Sequence, residues 1–233
     1  MDRRSRQYQR NKNYKKHQII SIFAVIVVAS FIGFVIENTF LAIKFGYVDN
    51  RGMVFPFLFG YGVAIVGIYL IFGLPSDPLF FGHPLKNSKN KDLKYILAIM
   101  ISICVGEASL GYLVEYTTGM QWWSYNDIPF HIGQYTSIPT SVGFALIIYL
   151  FMKNAYTPIC EFAVKMESHH HAKIIVVLLI IIVIDFFFSM NYVAKHGYMI
   201  KVWHREVDTT TIKSIENLPT NIINQIKYII PKQ

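Results

Sequence analysis

The chain has 233 residues, of which 53% are hydrophobic, 15% aromatic and only 15% charged, with 18 Phe and 15 Tyr. That composition excludes an ordinary soluble domain, and the length leaves room for one helical membrane domain and little else. Net charge is +8, but it is uneven: seven Lys or Arg lie between Arg3 and Lys16 against one acid, Asp2, which directly before an apolar helix reads as a topology signal or an anionic-lipid contact rather than a nucleic-acid surface.

In chain order, residues 1–18 are expected to form a basic cytoplasmic tail and residues 19–193 a transmembrane helical bundle. Within the bundle, five apolar segments, 19–43, 57–74, 95–114, 137–152 and 174–193, are each long enough or nearly so to cross about 30 Å of hydrocarbon at about 1.5 Å per residue. The fourth is the shortest. The first resembles a signal peptide in its basic start, but its apolar stretch is too long and no small-x-small site closes it, so it reads as an uncleaved signal anchor. Residues 194–233 form an extracytoplasmic tail in which Ile222, Ile223, Ile226, Ile229 and Ile230 recur at helical spacing after Thr220, an amphipathic helix lying on the membrane. The fold class is therefore all-α, a polytopic helical membrane bundle of about five transmembrane helices.

Loop charge orients it. Lys86, Lys89, Lys91 and Lys94 in one loop, and Lys153, Lys165 and Lys173 in another, fall on the side of the basic amino terminus. The opposite loops hold Lys44 and Arg51 in one case and no Lys or Arg at all, over 116–136, in the other. The positive-inside rule then puts the amino terminus in the cytoplasm and the carboxyl terminus outside.

Gly33-Phe34-Val35-Ile36-Glu37 recurs as Gly111-Tyr112-Leu113-Val114-Glu115, and Ile68-Tyr69-Leu70 recurs as Ile148-Tyr149-Leu150. Two helices per unit would make this a parallel repeat, with its pseudo-symmetry axis along the membrane normal. In an apolar chain the same runs also arise by chance. Ala98, Ser102 and Gly106, and Gly60, Gly62 and Gly67, are small residues that suit close helix packing.

Four acids, Glu37, Glu107, Glu115 and Asp185, lie inside or at the edges of the apolar segments. A carboxylate in mid-bilayer costs about 2.5–3.5 kcal/mol on the lenient insertion scale, so such groups face protein, water or substrate rather than lipid. Glu107 and Glu115 are eight residues apart, hence about 80° apart around a helix, within reach of one opening. The turn Asp49-Asn50-Arg51-Gly52, followed by Pro56, holds a permanent cation close after Glu37. The loop after Glu115 offers Trp122, Trp123 and Tyr125, which suit an interfacial belt or a stacking wall. Glu37, Arg51, Glu107 and Glu115 are expected to converge in one outward-facing cavity, with Trp122, Trp123 and Tyr125 as its lid: a substrate-binding set, with no catalytic and no metal residues and no cofactor.

Gly33 to Glu37, Asn50-Arg51-Gly52 with Pro56 and Gly60-Tyr61-Gly62, then Glu107, Glu115-Tyr116 and Trp122-Trp123-Ser124-Tyr125, in that order, resemble the type IV ABC-transporter permease family, also called CmpB-like, over about residues 29–151. The resemblance implies a permease-like transport component in a bacterial cytoplasmic membrane. Ser124 stands where that family has Asp, and the stretch 77–94, the fifth helix with Asp185 and the tail after Lys195 are not expected from its pattern. The chain has no phosphate-binding Gly-x-x-x-x-Gly-Lys-Ser/Thr loop, so any ATPase would be a separate subunit. Membrane lipids and a second copy of the chain are the other expected partners, and nucleic acid is not one.

Two further readings stand beside transport. One is an intramembrane enzyme acting on a lipid or lipid-linked substrate with two Glu as acid and base. The other is a noncatalytic assembly or sensor protein whose charges hold helices together. No Ser-His-Asp order, HExxH or CxxC occurs. Three consecutive histidines, His169 to His171, cannot face one metal from one helix and read as a solvated polar run.

Overall fold

The computed structural model describes residues 3–80, 83–84, 90–168 and 171–208. The predicted amphipathic helix at 220–230 and the histidines at 169 and 170 lie outside them.

The described residues form six helices: α1 Arg3–Phe45, α2 Phe59–Phe72, α3 Lys91–Thr118, α4 Ile138–Asn154, α5 Tyr156–Ser168 and α6 Ala172–His196. α1 runs without a break from the basic segment into the first apolar segment. Short strands join them: β1 Tyr47–Asp49, β2 Gly73–Leu74, β3 Asp77–Phe80, β4 His83–Pro84, β5 His131–Ile132, β6 Thr136–Ser137 and β7 His204–Glu206. These ribbons correct the all-α expectation at the loops. All pair antiparallel: β1 with β7, β2 with β3, β3 with β4, and β5 with β6.

Among the described residues, three helices are long and apolar enough to cross a membrane, within His17–Phe45, Lys91–Thr118 and Ala172–His196. A fourth crossing exists if Ile138–Asn154 and Tyr156–Glu167, bent by 47° at Ala155, act as one span. The expected five differs at α2, whose 14 residues rise only about 21 Å. Its limits have local causes. Leu58 is extended (φ −104°, ψ 91°), so the helix starts only after it. Gly73 at φ 65°, ψ −150°, a conformation glycine alone adopts readily, stops it.

The central core joins α1, α2, α3, α4 and the start of α5 through Val25, Ile65, Ile99, Ala145, Met152 and Tyr156. Because lipid is as apolar as these side chains, close packing rather than exclusion from water holds them together. A Cβ on Gly62 would lie 2.5 Å from the Ile26 carbonyl oxygen, so α2 crosses α1 backbone to backbone. The other glycines expected at packing faces behave differently, since a Cβ added to Gly60, Gly67 or Gly106 would meet nothing within 4 Å, while Ala98 packs against the core.

The bundle has two recognisable ends. At one, the proximal end, His17 of α1 meets Glu167 of α5 at 2.6 Å, the Tyr95 hydroxyl donates to the Gly73 carbonyl at 2.9 Å and the Tyr149 hydroxyl donates to Asp92 at 2.8 Å. At the distal end β1 pairs with β7, bringing the segment after α6 back over the end of α1. Asn50, almost fully buried, ties this cap: it donates to the carbonyls of Met53 and Ile200 at 2.6 and 2.8 Å and accepts from the Val202 N–H at 3.1 Å.

Candidate functional site

The distal loops do not stay at the surface. Leu58 N–H donates at 3.0 Å to the carbonyl of Ser30, which lies 15 residues before the end of α1 at Phe45. At about 1.5 Å per residue, the loop has descended about 22 Å along the helix. Backbone N–H groups at such depth need protein acceptors. Asp185, 5% exposed on α6, supplies them: its two carboxylate oxygens each accept one bond of 3.0 Å, from Val54 and Phe55. The acid of the fifth apolar segment therefore braces this loop.

At the bottom of the loop, the Tyr61 ring lies on Gly33, where a Cβ would come within 2.4 Å of it, and the Tyr61 hydroxyl donates to Glu37 Oε1. The other Glu37 oxygen accepts from Arg51 Nη2 at 3.3 Å. Arg51 is held in place by its backbone: it sits at φ 52°, an unusual value for a residue with a side chain, and its N–H donates to Asp49 Oδ1 at 2.9 Å. The Arg51 and Glu37 side chains are 26% and 23% exposed, so their ion pair is partly screened.

The second half repeats this arrangement. The loop between α3 and α4 also turns inward, and the Tyr135 ring covers Gly111 so closely that a Cβ would lie 2.2 Å away. The Tyr135 hydroxyl donates to Glu115 Oε2 at 2.6 Å. The additional partner is here uncharged: Gln134 Nε2, at 3.1 Å from the same oxygen. Trp123 braces the loop by donating its indole N–H to the Tyr135 carbonyl at 3.0 Å and by an edge-to-face contact with the Tyr135 ring at 5.6 Å. Burial, then the bond to Glu115, pushes the Tyr135 hydroxyl up to about 12, so it remains a proton donor through neutral pH.

Glu107 lies deeper on α3 than Glu115. It accepts from Thr136 Oγ1 at 2.8 Å and from the Tyr125 hydroxyl at 3.2 Å, and Thr136 continues to Ser141 at 3.1 Å and on to Cys104 at 3.2 Å. None of these partners is a cation. Tyr125 also joins the halves: burial raises its hydroxyl first, followed by the negative charges of Glu107 and then Glu37. A second join is the Tyr61 ring, 6.1 Å from Phe144 of α4.

The expected set thus divides. Glu37 pairs with Arg51 and Glu107 with Tyr125, and the charge of Glu37 reaches the Tyr125 hydroxyl. Glu115 belongs to a separate arrangement with Tyr135, and Trp123 to the support of that loop. The Trp122 indole nitrogen is buried without a partner. Tyr61, Tyr135, Gln134 and Thr136, which touch the carboxylates, were not in the expected set, although a single Tyr at or just before the second helix of each half is visible in the sequence. Among the described residues no three His, Cys, Asp or Glu side chains are placed to share a metal ion.

Residues 24–190 match the family model described as Putative ABC-transporter type IV. No curated protein matches the chain, and no solved structure does. The match extends past the expected boundary near residue 151, through most of α6 and Asp185, so the fifth apolar segment is part of the family's pattern rather than an addition. The chain belongs to the Putative ABC-transporter type IV family.

Proposed function

We propose that the chain is the membrane-embedded, permease-like component of a transport system, with an acidic and aromatic site between its two helical halves that opens outward. The observation that carries this reading is that Tyr125 bonds to Glu107 and also lies within electrostatic reach of Glu37, whose partner Tyr61 packs on Phe144 of the other half, with Arg51, among the described residues, the cation that bonds to Glu37. Two carboxylates against one guanidinium leave the site short of a positive charge, and in an apolar surround a proton or a cationic substrate group supplies it. Trp122 and Tyr125 form the outer wall, and Trp123 acts through the loop it braces. The two halves act as a parallel two-helix repeat, since each docks a tyrosine on the glycine and glutamate of the same five-residue run.

The five apolar segments cross a bacterial cytoplasmic membrane, α2 with its descending loop counting as one crossing, with the amino terminus inside and the carboxyl terminus outside. Energy comes from a separate ATPase subunit, consistent with the family. Comparing metabolites and lipids of cells lacking the chain, cells restored with it and cells restored with Glu107→Gln tests the reading. The expected result is a small set of compounds displaced by the deletion and corrected only by the unaltered chain. Full correction by Glu107→Gln would make the acids structural. Product formation from a lipid by the purified chain without nucleotide would favour the enzyme reading instead.

A further inference from the structure

The descending loop of the first half is bonded from outside by α6, through Asp185. In the loop of the second half, the segment before β5 bonds, among the described residues, only within its own loop and to the start of α4. That segment lies deep. α4 starts at Ile138, 11 residues before Tyr149, whose hydroxyl meets Asp92 at the proximal end. At about 1.5 Å per residue this is about 16 Å, roughly half of about 30 Å of hydrocarbon. The Phe130 carbonyl accepts from the Ile138 N–H at 3.1 Å, so Phe130 reaches the same level. Asp127, three residues earlier, is at most about 10 Å of chain from it and is therefore still within the hydrocarbon.

What this segment presents does not suit lipid. Asp127 and His131 are exposed, and beside them Phe130, Ile132 and Ile138 are 76%, 52% and 45% exposed. Among the described residues Asp127 makes no hydrogen bond or ion pair. His131 donates from Nδ1 to the Gly133 carbonyl at 2.8 Å, which leaves Nε2 for another partner. Phe130 sits at φ 58°, a strain that glycine would not carry and that a contact of its ring offsets. A carboxylate at this depth faces protein or water, and backbone outside a helix is tolerated there only under the same cover.

The two charges select the covering protein. Asp127 and His131 lie four residues apart, on a segment folded by the turn in which the Ile128 N–H donates to the Tyr125 carbonyl at 2.9 Å. A two-fold axis beside that segment sets the Asp127 of each copy against the His131 of the other, so both pairs form at once, as a self-complementary interface requires. We propose that two copies of the chain meet here, through two reciprocal pairs of Asp127 with His131 flanked by Phe130, Ile132 and Ile138. The contact is independent of what the acidic site carries.

The test reconstitutes the full chain in liposomes at graded densities and counts copies by single-molecule photobleaching. The unaltered chain should dimerise. Asp127→His and His131→Asp each set like groups against one another and should each raise the dissociation constant about thirtyfold or more, the effect of breaking a buried charge pair. The chain carrying both substitutions exchanges the two partners and should dimerise again. The two single variants, mixed, should pair with each other in preference to themselves. A monomeric unaltered chain overturns the proposal, as does a dimer that the single variants leave intact or that the double variant does not restore. Should the single variants fail to fold, Phe130→Cys combined with Cys104→Ala and Cys160→Ala decides: its copies should link by disulfide in the native membrane. Absence of that link overturns the proposal, and so does full labelling of the new thiol by a membrane-impermeant reagent, which would put the segment in open water.

Discussion

The two halves of this bundle face the same problem, a carboxylate inside an apolar helix pair, and share one part of the solution while differing in the rest. In both, a tyrosine lies on the glycine of a Gly-x-x-x-Glu run and gives its hydroxyl to the glutamate. The glycine is required because the ring occupies the place of its Cβ, and the spacing of four brings the glutamate one turn above it. The first half adds a guanidinium, Arg51, and a brace from α6 through Asp185. The second adds an amide, Gln134, and a brace from within its own loop through Trp123. The shared part is therefore architectural, and the halves differ in charge, with Glu107 bonded to hydroxyls.

The brace on the first half gives the largest expected effect. Asp185→Ala leaves the Val54 and Phe55 N–H groups without acceptors at membrane depth, a loss of about 2–6 kcal/mol at about 1–3 kcal/mol for each orphaned group. Thermal unfolding in detergent measures it. An effect within error would mean that the loop does not descend as described. The corresponding change in the second half, Trp123→Phe, removes one such bond and should cost less.

Next come the two glycines. Gly33→Ala and Gly111→Ala each force a Cβ into a tyrosine ring and should each destabilise by about 1–3 kcal/mol, although alanine favours a helix by about 1 kcal/mol elsewhere. Adding Tyr61→Ala or Tyr135→Ala to the matching glycine variant should recover the clash part of that loss. Similar responses in both halves sharpen the equivalence, and tolerance at one glycine alone breaks it.

Smaller still is the difference in the third partner. A double-mutant cycle on Glu37 and Arg51 should give a coupling of about 0.2–1 kcal/mol that falls with added salt, because both side chains are partly exposed. The same cycle on Glu115 and Gln134 should be insensitive to salt. The mildest effect is on pH dependence. Burial and the bond to Glu115 push the Tyr135 hydroxyl up from about 10 to about 12, so that bond contributes fully below about pH 10 and is lost as pH rises toward 12. Tyr135→Phe should remove that part of the alkaline decline in melting temperature.

Much of this was legible in the residues. Apolar runs located the helices that form the spans, and the cost of a membrane-embedded carboxylate singled out all four acids. The proximity of Arg51 to Glu37 followed from a short turn rich in Asn and Gly. The descent of the loops was not legible. A loop of this length ordinarily remains at the interface, and only the Asp185 and Ser30 contacts reveal that Val54 to Leu58 return into the bundle. The same descent shortens α2 and places Tyr61 and Tyr135 against helices rather than in an interfacial belt, which is where aromatic residues at helix ends are expected. The β ribbons left no trace in the pattern because runs of two to four residues carry no readable alternation.

The central claim is that Glu37 and Glu107, from different halves, serve one site. Cells relying on Glu37→Gln, Glu107→Gln or the double variant, each matched for membrane abundance, test it through the metabolite and lipid changes that follow loss of the chain. One shared site predicts that the double variant is no worse than the more damaging single one, because the groups act as a unit. Independent losses that multiply in the double variant, or full function in either single one, would contradict it.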